Sequence, residues 1–151
     1  MNDRREDNRQ YEVNLHWNAA QGGQISAAGL STDIKVTVPM EGVDAESVLW
    51  SSEHMLLGAV TSDFTTECLT LAQKAGIVFS EFTCNTYGCK DGADGSLCDI
   101  IIKPYVTVAL AKQVEKALRL IEAARQRSST INLLKTRVHI MPHITCENNK
   151  C

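Results

Sequence analysis

The sequence is short of several things, and each shortage excludes something. Only three of its 151 residues are proline, so long polyproline or low-complexity linkers are absent. Aromatic residues make up 5%. There is no excess of basic charge: 15 Lys and Arg stand against 18 Asp and Glu, a formal net charge of −3, which argues against a nucleic-acid-binding surface. No apolar run approaches the ~20 residues a membrane span needs. The opening MNDRREDNRQ is charged throughout and lacks the apolar stretch of a secretory signal, so a cytoplasmic location without membrane contact is expected. None of the six cysteines (68, 84, 89, 98, 146 and 151) forms a CxxC pair, which disfavours a zinc site and favours reduced thiols. Nothing points to a metal or other cofactor.

What is present is a core-forming composition, 44% hydrophobic, in a chain long enough for one domain. We expect a flexible arm over 1–10, a single domain over 11–144 and a polar tail over 145–151. Tyr11, Val13, Leu15 and Trp17 alternate with polar residues, the period of a half-buried strand. Gln21-Gly22-Gly23-Gln24 supplies turn residues, Ile25–Ala28 a second strand, and Ile34, Val36 and Val38 a third. From Ser52 to Ala75 the pattern is helical. Ser51 or Ser52 serves as cap, Glu53 stands in the first turn, and Gly76 is the stop. Val78–Tyr87 and Leu97–Val108 read as two strands joined by a connection rich in Gly and Asp. That loop lacks the spacing of a calcium site. Residues 111–127 form a second amphipathic helix, and Val138 and Ile140 mark a last strand ended by Pro142. Pro142 also prevents His139 and His143 from sharing a helix face as zinc ligands.

This order of elements, with the motifs it carries, resembles the OsmC/Ohr family of thiol-dependent peroxidases. The segment Ser52-Glu53-His54-Met55-Leu56-Leu57-Gly58-Ala59-Val60-Thr61-Ser62-Asp63-Phe64 is similar to that family's central-helix motif, P-E-x-L-L-x-A-A-x-x-S-C-F. Further similarity lies in Tyr11-Glu12-Val13, Gly22-Gly23, Lys74-Ala75-Gly76-Ile77, Ile101–Val106 and Glu115–Lys135. The resemblance implies an α+β two-layer fold, with antiparallel N-terminal strands, a long central helix, a strand hairpin, a second helix and a final strand. It also implies an interleaved homodimer.

The departures from the family are chemical. The resemblance places Asp63 at the peroxidatic cysteine. It places Ser128, in Arg127-Ser128-Ser129 against the family's H-C-P, at the resolving cysteine. Neither side chain can pass through a sulfenic acid and a disulfide. Glu53 matches the family's positioning glutamate, and Gln21 stands near the position of an arginine that supports the thiolate. Asp63 lies on an apolar helical face, where a carboxylate must find donors, pair or protonate. Two readings stay open. Either Ser62, Thr66 or Ser128 satisfies it structurally, or it joins Glu53 as a carboxylate pair in the former peroxidase pocket, with His54 and Ser62 at hand, to hold a small ligand. The expected role is that of an OsmC-like protein without dithiol peroxidase activity. The alternatives are a peroxidase or stress-response redox protein using another cysteine such as Cys68, and a structural or regulatory dimer. Cys84 and Cys98 are expected on adjacent hairpin strands, where a bridge is conceivable but the expected role is packing.

Overall fold

The computed structural model describes residues 11–19, 22–36, 49–90 and 94–147; Gln21, the first ten residues and Cys151 lie outside these. The chain divides into two compact units, Met1–His54 and Met55–Cys151.

In the first unit β1 (Val13–Asn18), β2 (Gly22–Ala27) and β3 (Ile34–Val36) form an antiparallel sheet in the order β1-β2-β3. Pairing runs from Val13 opposite Ala27 to Asn18 opposite Gly22, so Gly22 and Gly23 belong to the strand and not to the turn expected there. The period-two pattern identified β1 correctly, but its apolar side chains stand exposed: Val13 is 63% exposed and Leu15 56%.

Helix α1 (Ser52–Lys74) begins in the first unit and continues into the second. Its start is fixed by a reciprocal pair. The His54 N–H donates to Ser51 Oγ at 3.3 Å, while the Ser51 N–H donates to His54 Nδ1 at 3.2 Å. Two amides that a helix start leaves unpaired are thereby satisfied, as in a capping box with histidine in the usual place of glutamate. At the other end Gly76, at φ +66°, lets the chain turn back. The Gly76 N–H donates to the Gln73 carbonyl and the Ile77 N–H to the Ala72 carbonyl, the two bonds of a Schellman stop.

The second unit holds the core. β4 (Phe79–Lys90) and β5 (Leu97–Val108) pair antiparallel. A 3₁₀ turn at Ala111–Gln113, α2 (Val114–Arg127) and α3 (Ser129–Leu133) then carry the chain to β6 (Arg137–Ile140), which pairs parallel to β5. A parallel neighbour needs such a crossover. α1 presents Val60, Phe64, Cys68 and Ala72, an unbroken i+4 stripe, to a core completed by Ile100, Ile102, Val106 and Val108 of β5 and Ala117, Ile121 and Ala124 of α2. Fully burying side chains such as Val60 and Phe64 stabilises the fold by ~1.5–3 kcal/mol each.

Pro142 does not end the sheet as expected. After it the chain resumes as β7 (His143–Cys146), again parallel to β5, and so enters the stretch read as a polar tail. β6 covers Asp99–Ile102 and β7 covers Tyr105–Val108, leaving Lys103 and Pro104 opposite the break. The Met141 N–H still donates to the Ile102 carbonyl at 2.8 Å, and Pro104, two residues on along β5, has no N–H with which to continue the ladder. The expected proximity of Cys84 and Cys98 is also corrected. Cys84 stands opposite Pro104, six residues along β5 from Cys98, or ~20 Å of strand.

Replacing Gly76 by alanine forces a side chain into the left-handed region. We expect Gly76→Ala to lose ~1–2 kcal/mol in urea unfolding with an unchanged denaturant slope.

Candidate functional site

The site grows from one carboxylate. Asp63 projects from α1 one residue before the buried Phe64 and is itself half-buried. A charge in that position is tolerable only if donors meet it. They come from the far end of α2. Ser128 Oγ donates to Asp63 Oδ2 at 2.6 Å, and the Thr130 N–H donates to the same oxygen at 3.0 Å. Ser128 is fully buried and is the N-cap of α3, its Oγ accepting the Ile131 N–H at 3.2 Å. The hydroxyl thus relays between the amide of α3 and the carboxylate of α1. Burial works to raise the Asp63 carboxyl, but the Ser128 hydroxyl, the Thr130 amide and the Thr130 and Ser129 hydroxyls outweigh it and hold the group below the ordinary carboxylate value. Beside this contact the Arg127 guanidinium meets Glu67 of α1 at 3.0 Å, a second tie between the same two elements.

Of the three hydroxyls proposed from the sequence as partners of Asp63, Ser128 is the one that serves. Thr66 instead returns its hydroxyl to the Ser62 carbonyl at 2.9 Å, and Ser62 is exposed. Glu53 receives the Ser52 hydroxyl at 3.2 Å. Ten residues of α1, ~15 Å of rise, separate Glu53 from Asp63, so the helix cannot bring the two carboxylates into contact with each other. His54 is engaged in the cap with Ser51, and its ring meets Trp50 edge-on at 6.2 Å. Gln21 lies outside the described residues.

Cys68 is fully buried, and burial, with smaller contributions from Cys84 and Glu67, pushes its thiol up to about 12. At neutral pH it carries no useful thiolate. His139 meets Asp99 at 3.0 Å, and Arg137 grips the same carboxylate at 3.1 Å. The His139 hydrogen bond first, then Arg137, hold Asp99 below its usual value against some burial. His143 lies against Tyr105, ring centroids 5.8 Å apart. Among the described residues no three His, Cys, Asp or Glu side chains converge as metal ligands do. Two open clefts of about 420 and 400 Å³ share Arg125 and Val138, and neither contains Asp63.

The model of the family described as OsmC-like protein matches residues 44–142, about two thirds of the sequence. The chain belongs to the OsmC-like family. Solved OsmC-like structures share its fold. An OsmC-like protein from Vibrio cholerae superposes with a TM-score of 0.76 at 14% identity, over 89% of this chain and 99% of that one. One from Mycoplasma pneumoniae gives 0.74 at 11%, over 91% and 99%. An organic hydroperoxide resistance protein from Elizabethkingia anophelis gives 0.66 at 15%, over 91% and 96%. No curated protein matches the sequence. In this OsmC-like chain the two positions that the resemblance assigns to reacting cysteines, Asp63 and Ser128, touch each other through a hydrogen bond.

Sequence reasoning missed the part played by Thr130 and Ser129. The run Ser128-Ser129-Thr130 ahead of Ile131 was a legible helix-start signal. The Asp99–Arg137–His139 cluster had no such signal, because it depends on the register of β6 against β5.

Because the Asp63 carboxyl sits lower in the folded chain than in the unfolded one, its contribution is fully present above the unfolded value near ~3.9 and fades as pH falls through the folded value. Asp63→Asn is expected to cost ~1–3 kcal/mol at pH 7 and to flatten the acid limb of a stability-against-pH curve. Urea unfolding between pH 7 and pH 3 checks both.

Proposed function

We propose that this OsmC-like protein does not work as a dithiol peroxidase at the family position, and that the Asp63–Ser128 pair serves there as a permanent latch between α1 and α3. The carrying observation is the 2.6 Å bond from the Ser128 hydroxyl to a carboxylate that also accepts from Thr130. An ionised carboxylate offers about four lone-pair sites. The Ser128 hydroxyl and the Thr130 amide both close on Oδ2, and the nearby Thr130 and Ser129 hydroxyls also favour the ionised form, so protein donors already serve this carboxylate. This favours the latch over a carboxylate that anchors a small ligand. The burial of Cys68 speaks against a transfer of peroxidase chemistry along the same helix.

The expected outcome is that purified protein consumes no organic hydroperoxide with dithiothreitol or dihydrolipoamide as reductant, followed by ferrous-xylenol orange assay. Turnover that a single cysteine substitution abolishes would establish a peroxidase built on another thiol. Native mass spectrometry of the same preparation tests for a retained small molecule: a mass above that of the polypeptide would restore the ligand-binding reading.

The proposal includes a homodimer. It is supported by the alternating apolar residues of β1, exposed in the single chain, and by Leu69 of α1, 46% exposed. A strand with period-two patterning is built to bury one face, and an apolar face left open on a protomer marks an interaction surface. Light scattering at micromolar concentration should return twice the 16.6 kDa of one chain. A mass of one chain would refute the dimer and leave the latch untouched.

A further inference from the structure

A second chemical feature lies at the turn end of the β4–β5 hairpin. Along these strands Cys89 stands opposite Asp99, and the next pair is Lys90 with Leu97. The register skips Cys98. Cys98 is the extra residue of a β-bulge, set between Asp99, which opposes Cys89, and Leu97, which opposes Lys90. Opposed residues on antiparallel strands have Cα atoms ~4.5–5.5 Å apart and disulfides span ~4.4–6.8 Å, so Cys98, next in the chain to the residue opposing Cys89, stands close to bridging range. The bulge also turns the Cys98 thiol toward its neighbour: Cys98 Sγ lies 3.2 Å from the Cys89 carbonyl oxygen. The two thiols differ in access, with Cys89 exposed and Cys98 half-buried. Asp99, the residue opposing Cys89, has its carboxylate engaged by Arg137 and His139.

The two cysteines of the core contrast with this pair. Cys68 is buried in the stripe of α1, and Cys84, five residues before Cys89 and therefore on the other face of β4, is packed against the same core. Burial raises both of those thiols.

We propose that Cys89 and Cys98 are a redox-active pair that closes into a disulfide by exchange with a low-molecular-weight disulfide. The exposed Cys89 thiolate attacks one sulfur of the external disulfide, RSSR. The S–S bond breaks, a mixed disulfide Cys89–S–SR forms, and one RS⁻ leaves. The Cys98 thiolate then attacks the Cys89 sulfur of that mixed disulfide and expels the second RS⁻. The protein gives up two electrons and two thiol protons, and the external disulfide becomes two thiols. The closed bond clamps the hairpin across the eight residues from Lys90 to Leu97. This pair is independent of the Asp63–Ser128 contact.

The test uses the reduced full chain, oxidised glutathione as probe, alkylation of remaining thiols, and peptide mapping without reductant. Trypsin cuts after Lys90 and is blocked at Lys103-Pro104, so Cys98 is carried by peptide 91–112, and Cys89 by 75–90 together with Cys84. We expect these two peptides linked, in a band at the mass of one chain on a non-reducing gel. The link should persist in Cys84→Ser and vanish in Cys89→Ser and Cys98→Ser. In Cys98→Ser a glutathione adduct should accumulate at Cys89. Absence of the linked peptides in the unsubstituted chain overturns the proposal, and that map decides the pairing even if a serine variant fails to fold. So does a link that survives in Cys89→Ser, a band at twice the chain mass, or glutathione held by Cys98 in preference to Cys89.

Discussion

A carboxylate on an apolar helix face has to be met by donors, and much of the second unit is arranged so that Asp63 is. Its hydrogen-bond partners are the Ser128 hydroxyl and the Thr130 main-chain amide, and the Ser129 and Thr130 hydroxyls beside them also favour its ionised form. The arrangement works because Ser128 does two things at once. As the N-cap its oxygen accepts from the Ile131 amide, and as a hydroxyl it donates to Asp63. A helix start leaves unpaired N–H groups that need acceptors, and Asp63 is an acceptor in need of donors. Each deficit answers the other, and α3 is tied to α1 as a result.

The same tie joins the two positions that the resemblance assigns to reacting cysteines. The positions that resemble the family's two cysteines are brought within hydrogen-bond reach by the packing of α1 with α2 and α3, chiefly Val60, Phe64, Ala124 and Ile131 in one core. Sulfur there would allow a bond to form and break; oxygen allows a hydrogen bond of fixed chemistry. Glu67 and Arg127 brace the same junction from outside, where exposure keeps their contribution small.

Much of this could be read before the structure. The extent of α1, its Ser51 cap and its Gly76 stop follow from local chemistry, since a capping hydroxyl and a left-handed glycine act within one turn of helix. The two long strands and α2 follow from period and composition. That Asp63 needed partners was also legible, as was Ser128 as one of them. The other expected donors failed for a local reason: Thr66 on the helix surface bonds back to the carbonyl four residues earlier, a choice always open to a helical threonine.

What the sequence determined by itself is therefore the set of elements, the helix ends and the chemical demand at Asp63, because each is fixed by neighbours within a few residues. Only the tertiary structure decided that β6 and β7 are two parallel partners of β5 separated by a break opposite Lys103 and Pro104, that Asp99 gathers Arg137 and His139, that Cys89 and not Cys84 is the neighbour of Cys98, and that the apolar residues of β1 stand exposed. These all depend on strand register or on packing between distant segments, and a shift of one residue in register moves every side chain to the opposite face.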